Sequence, residues 1–293
     1  MNALIIIKNI FLSLRPKQWT KNLLIFAALI FSQNMTNGFY DTATILGFLI
    51  FCIISGSIYT FNDLVDINKD RLHPKKAKRP IASGKLPVTY AVLSFFFFSI
   101  CGILAAFSLE ENFGWVVLIY FAIQILYTFI LKNIVILDIF VIAIGFVLRV
   151  VAGAAIIAVP ISNWLLVCTL FLSLFLALGK RRFELIKMDK KAIDTRATLK
   201  DYSVTLLDQM ITVVTSATVV AYAIYTLSPE TIVKFKTKNL MYTIPFVLYG
   251  VFRYLYLIYQ RETGGYPEEI LVSDVPLIIN ILLYGFTVWL IIY

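Results

Sequence analysis

Residues 42–61 read TATILGFLIFCIISGSIYTF, and residues 62–85 continue as NDLVDINKDRLHPKKAKRPIASGK. The first stretch holds no charged side chain and has about the length a helix needs to cross the hydrocarbon of a bilayer. A dense run of acids and bases follows at once. Asp63, Asp66 and Asp70 are spaced i, i+3 and i+7, which places them on one face of a helix over about two turns, with Asn62 beside them. Three like charges on one face repel each other unless a cation sits between them. A hard divalent ion held by oxygen ligands fits, and magnesium usually arrives with phosphates attached. Lys75, Lys76, Lys78 and Arg79 follow closely and carry the charge to hold such phosphates. The bland alternative is a solvated helix end with ordinary charges. The shared face at a membrane boundary favours a metal site formed by Asn62, Asp63, Asp66 and Asp70.

The rest of the chain fits the same environment. Of its 293 residues 60% are hydrophobic and only 15% charged, and long apolar runs recur throughout. That composition excludes an ordinary soluble domain and predicts one integral membrane domain over residues 1–293, all-α, built as a helix bundle. Nine spans are expected, near 20–33, 42–61, 88–107, 114–131, 136–158, 162–179, 206–227, 240–259 and 273–292. The opening MNALIIIKNIFLSLRPKQW lacks a small-residue cleavage site and reads as a retained interfacial lead-in.

A net charge of +9 would suggest nucleic acid in a soluble protein, but here its placement decides. Arg15, Lys17, Lys21, the bases of 69–85, Lys132 and those of 180–200 all fall in loops on one side. The opposite loops hold only Lys234, Lys236 and Lys238. The positive-inside rule then makes the basic side cytoplasmic, with the N-terminus inside and the C-terminus outside. Such a face also attracts anionic lipid headgroups, and no nucleic-acid partner is expected.

Other polar residues gather on that same side. Asp138 stands alone at the start of an apolar helix, where the helix dipole favours an acid; a second metal or sugar contact is the functional alternative. Arg149 lies deep in span five, where an ionisable side chain faces the interior with a partner: a lipid phosphate or an acid elsewhere. Gly145 and Gly153 nearby suit close helix approach. Lys17 and Lys21, four apart, present two charges to a phosphate or anchor the interface beside Trp19. Lys180 and Arg181, in a loop after span six, lie nearest the membrane end of their basic run. Cys52, Cys101 and Cys168 show no paired spacing and read as small buried side chains. His73 is the single histidine and reads as a loop residue.

At these residues the chain resembles the UbiA superfamily of intramembrane prenyltransferases, whose first motif has the form N-D-x-x-D-x-x-x-D. Here it reads Asn62-Asp63-Leu64-Val65-Asp66-Ile67-Asn68-Lys69-Asp70. RPKQWTKN at 15–22, HPKKAKRPIASG at 73–84, LDIFVIAIGFVLR at 137–149 and LDQM at 207–210 resemble its decaprenyl-phosphate phosphoribosyltransferase branch. So do YGVFRYLYLIY at 249–259 and GGYPEEILVSD at 264–274. The superfamily's usual second motif, D-x-x-x-D, is reduced here, because Asp138 is followed four residues on by Ile142.

The resemblance implies a magnesium-dependent transfer of 5-phosphoribosyl from 5-phosphoribose 1-diphosphate to a polyprenyl phosphate, supplying a cell-envelope glycan precursor. It implies Asp63 and Asp66 as metal ligands, assisted by Asn62 and Asp70. Lys75, Lys78, Arg79, Lys180 and Arg181 are candidates for the donor phosphates, and Lys132 for substrate binding. Lys17 and Lys21 are candidates for the donor 5-phosphate or the lipid phosphate, and Arg149 for the lipid phosphate. Asp138, Tyr202, Asp208 and Gln209 are candidates for the ribose hydroxyls. The rival readings are transfer of a prenyl group to an aromatic or other acceptor, and a transporter or lipid flippase. Charges gathered at one face, with no broken helices repeated in two halves, count against transport.

Overall fold

The computed structural model describes residues 3–33, 38–72, 76–187, 197–261, 270 and 273–293. Helices dominate, and no strand occurs among the described residues. In chain order they are α1 (Ala3–Ser13), a 3₁₀ helix (Pro16–Ile25), α2 (Phe26–Phe31), α3 (Gly38–Val65), α4 (Ile67–Leu72), α5 (Val88–Leu109) and α6 (Glu111–Phe129). After them come α7 (Leu137–Ile156), α8 (Asn163–Lys187), α9 (Val204–Leu227), α10 (Pro229–Phe235), α11 (Ile244–Tyr259) and α12 (Val275–Ile292). Among the described residues eight helices are long and apolar enough to cross a bilayer, agreeing with eight of the nine expected spans. Their starts carry familiar stop-and-start chemistry. Glu110, Ser203 and Asp274 accept from the backbone N–H of Phe113, Leu206 and Leu277, satisfying donors that a new helix leaves open.

The ninth expected span takes a different form. Residues 16–25 wind as a 3₁₀ helix before a six-residue α2. At about 2.0 Å per residue, then about 1.5 Å, the two pieces reach about 29 Å, close to the hydrocarbon thickness. Their contacts step steadily down α3. Arg15 pairs with Asp63, Asn22 donates to Ser55 Oγ at 3.1 Å, and the rings of Phe26 and Phe48 lie 5.6 Å apart. The segment therefore runs antiparallel to α3 along about ten to fifteen of its residues, and it is a crossing without being one α-helix. Polar Thr20, Lys21 and Asn22 in its middle would leave a poor apolar stripe on a 3.6-residue period.

Contacts group the chain into two compact units, Met1–Val141 with Leu148–Pro160, and Ile142–Val147 with Ile161–Met188 and Leu199–Tyr293. In the first unit Ile25, Phe51, Ile54, Ile58, Phe113, Val117 and Ala152 form a core with almost no exposure. A smaller cluster of Ile81, Leu86 and Ala91, joined by Ile6, Ile10, Leu64 and Ile67, pins α1 and the 76–87 loop against the end of α3. That clamp fixes the loop carrying Arg79. Gly153 of α7 meets the backbone of Ile25: a Cβ there would stand 1.9 Å from the Ile25 carbonyl oxygen. In the second unit α8 packs along α9, and α11 packs on α12.

Two expectations need correction. Lys180 and Arg181 lie on α8 itself, which continues to Lys187. Leu, Lys, Arg and Glu are good helix formers, so the helix has no reason to stop at the membrane boundary. Cys52 is buried as expected, but Cys101 is exposed, on a helix whose surroundings in a bilayer would be lipid.

Candidate active site

The 28-residue α3 is about 42 Å long, more than a hydrocarbon layer of about 30 Å requires, and its last turn follows the uncharged run. That turn carries Asn62 and Asp63. The helix breaks at Asp66, yet helical bonding continues across the break: Asp66 N–H donates to Asn62 O at 2.9 Å and Asp70 N–H to Asp66 O at 2.8 Å. Asp63 and Asp70 therefore stay two turns apart on one side. The predicted acidic face forms, with α4 supplying its far end.

Cations fill that face. Arg79 Nη1 donates to Asp63 Oδ1 at 2.9 Å and to Asp70 Oδ2 at 2.5 Å, so one nitrogen bridges two carboxylates. Arg15 Nη2 also donates to Asp63 Oδ1, while its guanidinium stacks 4.9 Å from the Tyr59 ring. Arg15 reaches there from a left-handed backbone (φ 53°) that turns the chain between α1 and Pro16. Lys132, from the turn before α7, donates to both oxygens of Asp66 at 2.8 Å. Lys76 Nζ lies 3.8 Å from Asp70 Oδ1. The Asp63 and Asp70 carboxylates are buried, with side-chain exposures of 3% and 4%, whereas Arg15 and Arg79 keep 24% and 27%. The acids are thus fixed in the wall and the guanidiniums retain a path to water. Asn62 accepts from Thr128 Oγ1, which ties α6 to the end of α3.

Other predicted residues in this unit fall into three groups. Asp138 is fully buried in the first turn of α7. Arg149 is 4% exposed and donates from Nε to Asn22 Oδ1 at 2.8 Å and from Nη2 to the Tyr120 hydroxyl oxygen at 3.0 Å, with the Phe51 and Tyr120 rings about it. It binds the 3₁₀ crossing to α6 and α7, well inside the span. Lys17 and Lys78 are exposed and Lys21 is half-buried. Lys75 and His73 lie outside the described residues. Among the described residues no three Asp, Glu, His or Cys side chains stand together as a ligand set. The two carboxylates that converge do so on Arg79.

A second polar cluster lies in the second unit. Arg182 Nε donates to Asp208 Oδ1 at 2.6 Å, and Tyr259 donates its hydroxyl to the same oxygen at 3.0 Å. The Arg182 guanidinium sits 4.2 Å from the Tyr259 ring centre. Arg181 is buried and donates to Glu184 Oε2 at 2.7 Å on its own helix. Lys180 is half-buried, Tyr202 buried and Gln209 exposed. Arg253 makes a two-pronged pair with Asp274, at 3.1 and 2.9 Å, which holds the Asp274 carboxyl below the usual carboxylate range. Sequence reasoning did not single out Arg15, Thr128, Arg182 and Tyr259, which the structure joins to these two clusters. Arg15 had a signal: the proline after it ends a helix and leaves its side chain at a turn beside the acidic stretch.

A profile of the UbiA prenyltransferase family matches residues 23–265. The chain is 33% identical over 288 residues to a decaprenyl-phosphate phosphoribosyltransferase from Mycolicibacterium smegmatis, covering 92% of this chain and 87% of the relative. It is 31% identical over 295 residues to one from Corynebacterium glutamicum, covering 96% and 86%. Among solved structures, a UbiA homolog from Archaeoglobus fulgidus bound to GPP and Mg²⁺ superposes with a TM-score of 0.75 at 22% identity, over 97% of this chain and 99% of that one. The helix order, the acidic turn at the end of α3 and these likenesses agree: the chain is an integral membrane protein and belongs to the UbiA prenyltransferase family.

Proposed function

We propose that this protein transfers 5-phosphoribosyl from 5-phosphoribose 1-diphosphate to a polyprenyl phosphate such as decaprenyl phosphate, releasing diphosphate. The observation that carries the chemistry is Arg79 Nη1 bridging Asp63 and Asp70. Two buried carboxylate oxygens converge on one positive atom, and further bases stand around them. Hard oxygen donors aimed at a shared cationic point suit Mg²⁺, and the bases suit the phosphates that accompany it. Asp63 and Asp70 would hold the ion, with Asp66 and Asn62 beside them; when bound, it offsets charge on the leaving diphosphate. The choice of a soluble sugar donor rests on the relatives' names and on Ile142 standing where a second acidic motif would have its second carboxylate.

In this reading Arg15, Arg79 and Lys132 turn from their carboxylates to diphosphate oxygens, as charge-assisted donors. An oxygen of the lipid phosphate forms a bond to ribose C1 as the C1–O bond to diphosphate breaks, and the bonding pair leaves with diphosphate. The nucleophile is already anionic, so no strong general base is needed. Carboxylates near C1 stabilise its oxocarbenium-like charge. The bases of 69–85 and 180–200 support a site at the cytoplasmic face, with the N-terminus inside. With the 3₁₀ crossing added to the eight long helices among the described residues, that orientation would leave the C-terminus outside.

Purified protein given 5-phosphoribose 1-diphosphate and polyprenyl phosphate is expected to form a phosphoribosyl lipid only when Mg²⁺ is present. Turnover of a prenyl diphosphate with no phosphoribosyl lipid would sink this reading in favour of the rival transfer. Lys132→Met should raise donor KM about tenfold with a smaller change in kcat, since one charge-assisted contact is lost. Unchanged steady-state kinetics would remove Lys132 from the donor site.

A further inference from the structure

The geometry points to Arg79 as a latch that makes metal binding and diphosphate binding depend on each other. This inference rests on the metal site proposed above and goes beyond it.

Arg79 occupies the point at which Asp63 and Asp70 converge, held at 2.9 and 2.5 Å. A metal ion bound by both carboxylates must take that place. The local charge makes this costly for a metal arriving alone. Asp63, Asp66 and Asp70 are balanced by Arg15, Arg79 and Lys132, with Lys76 near Asp70 as well. Adding a dication to a balanced cluster leaves the displaced guanidinium close to like charge, with its former partners taken. An incoming diphosphate changes that balance. It brings negative charge with the metal and offers Arg79 new acceptors as the carboxylates are given up.

The side chains are built for such an exchange. The acids are nearly sealed, at 3% and 4% side-chain exposure, and lie on the ends of helices. Arg79 has 27% exposure on a long, jointed stem, on the 76–87 loop whose backbone is anchored by Ile81 and Leu86. Its guanidinium can swing while its Cα stays fixed. Coupling of this kind is reciprocal: whatever factor diphosphate adds to metal affinity, the metal adds to diphosphate affinity.

The test is Mn²⁺ binding to the purified full chain, followed by electron paramagnetic resonance of the free ion, without and with inorganic diphosphate. The wild type should bind Mn²⁺ weakly alone and about tenfold or more tightly with diphosphate. Arg79→Gln should bind Mn²⁺ alone about tenfold more tightly than wild type, and added diphosphate should then give little further gain. Arg79→Lys, which keeps a charge between the carboxylates, should retain most of the coupling and guards against a folding failure of the glutamine variant. Unchanged or weaker metal-alone binding in Arg79→Gln, with the coupling intact, would overturn the latch while leaving the metal site standing. No Mn²⁺ binding by the wild type, even with diphosphate, would overturn the metal site and the latch with it.

Discussion

Replacing Asp63 with Asn is expected to lower kcat by about 10³-fold, the scale on which losing one preorganised electrostatic contact at a reacting centre is felt. The change removes a charge and almost no volume. Asp63 is the acid on which Arg15 and Arg79 both converge, and it shares Arg79 with Asp70. With an amide in its place, two guanidiniums face each other without their common anion, and a cation site built on two carboxylates keeps only one. The loss should appear in kcat more than in donor KM, because the freed guanidiniums can still meet phosphates. That split sets it apart from Lys132→Met. Single-turnover diphosphate release measures the effect, and a thermal melt in detergent shows whether the variant is folded. A folded Asp63→Asn protein within about threefold of wild type would remove Asp63 from the catalytic centre.

Gly153→Ala should be the most damaging single methyl in the first unit. Its Cβ would sit 1.9 Å from the Ile25 carbonyl oxygen and 2.8 Å from the Ile25 carbonyl carbon. Both neighbours are backbone, so no rotamer change can relieve the overlap, and α7 must part from the 3₁₀ crossing. Overpacking of this kind costs about 1–3 kcal/mol, and a backbone clash belongs at the upper end. A fall in melting temperature of about 5–10 °C is expected. Activity should fall too, since Arg149 and Asn22 join the same two elements and Arg15 at the head of the crossing reaches Asp63. Gly285→Ala is the control, because nothing lies within 4 Å of the added carbon. Equal melting of the two variants would mean that the close approach at Gly153 does not hold the crossing in place.

The α-helical spans were legible because each is an unbroken apolar run of membrane length, such as 88–109 or 137–156. The 3₁₀ crossing was legible as a span and not as a 3₁₀ helix. Its winding depends on Asn22 finding Ser55 and Arg149, and on Ile25 meeting Gly153. Those partners are distant in sequence. The acidic face was legible, but its pairing with Arg15 and Lys132 was not. The spacing of Asp63, Asp66 and Asp70 is written along one stretch, while Arg15 and Lys132 reach it from 48 and 66 residues away. The repulsion among the acids called for positive charge, and the sequence reading supplied it as a metal ion while assigning Arg79 and the neighbouring lysines to phosphates. The structure answers with arginine and lysine. For Arg149 the sequence offered a lipid phosphate or an acid, whereas the structure gives it the neutral side chains of Asn22 and Tyr120 deep in the span.

The 3₁₀ winding of residues 16–25 makes that crossing sensitive to chain length in a way the α-helical spans are not. Three residues complete a turn, so a single deletion would swing everything before it by about 120° and shorten the reach by about 2 Å. Arg15 would then point away from Asp63 even with every side chain of the acidic face intact. Sequence drift through this segment can therefore exchange one residue type for another far more freely than it can gain or lose a position.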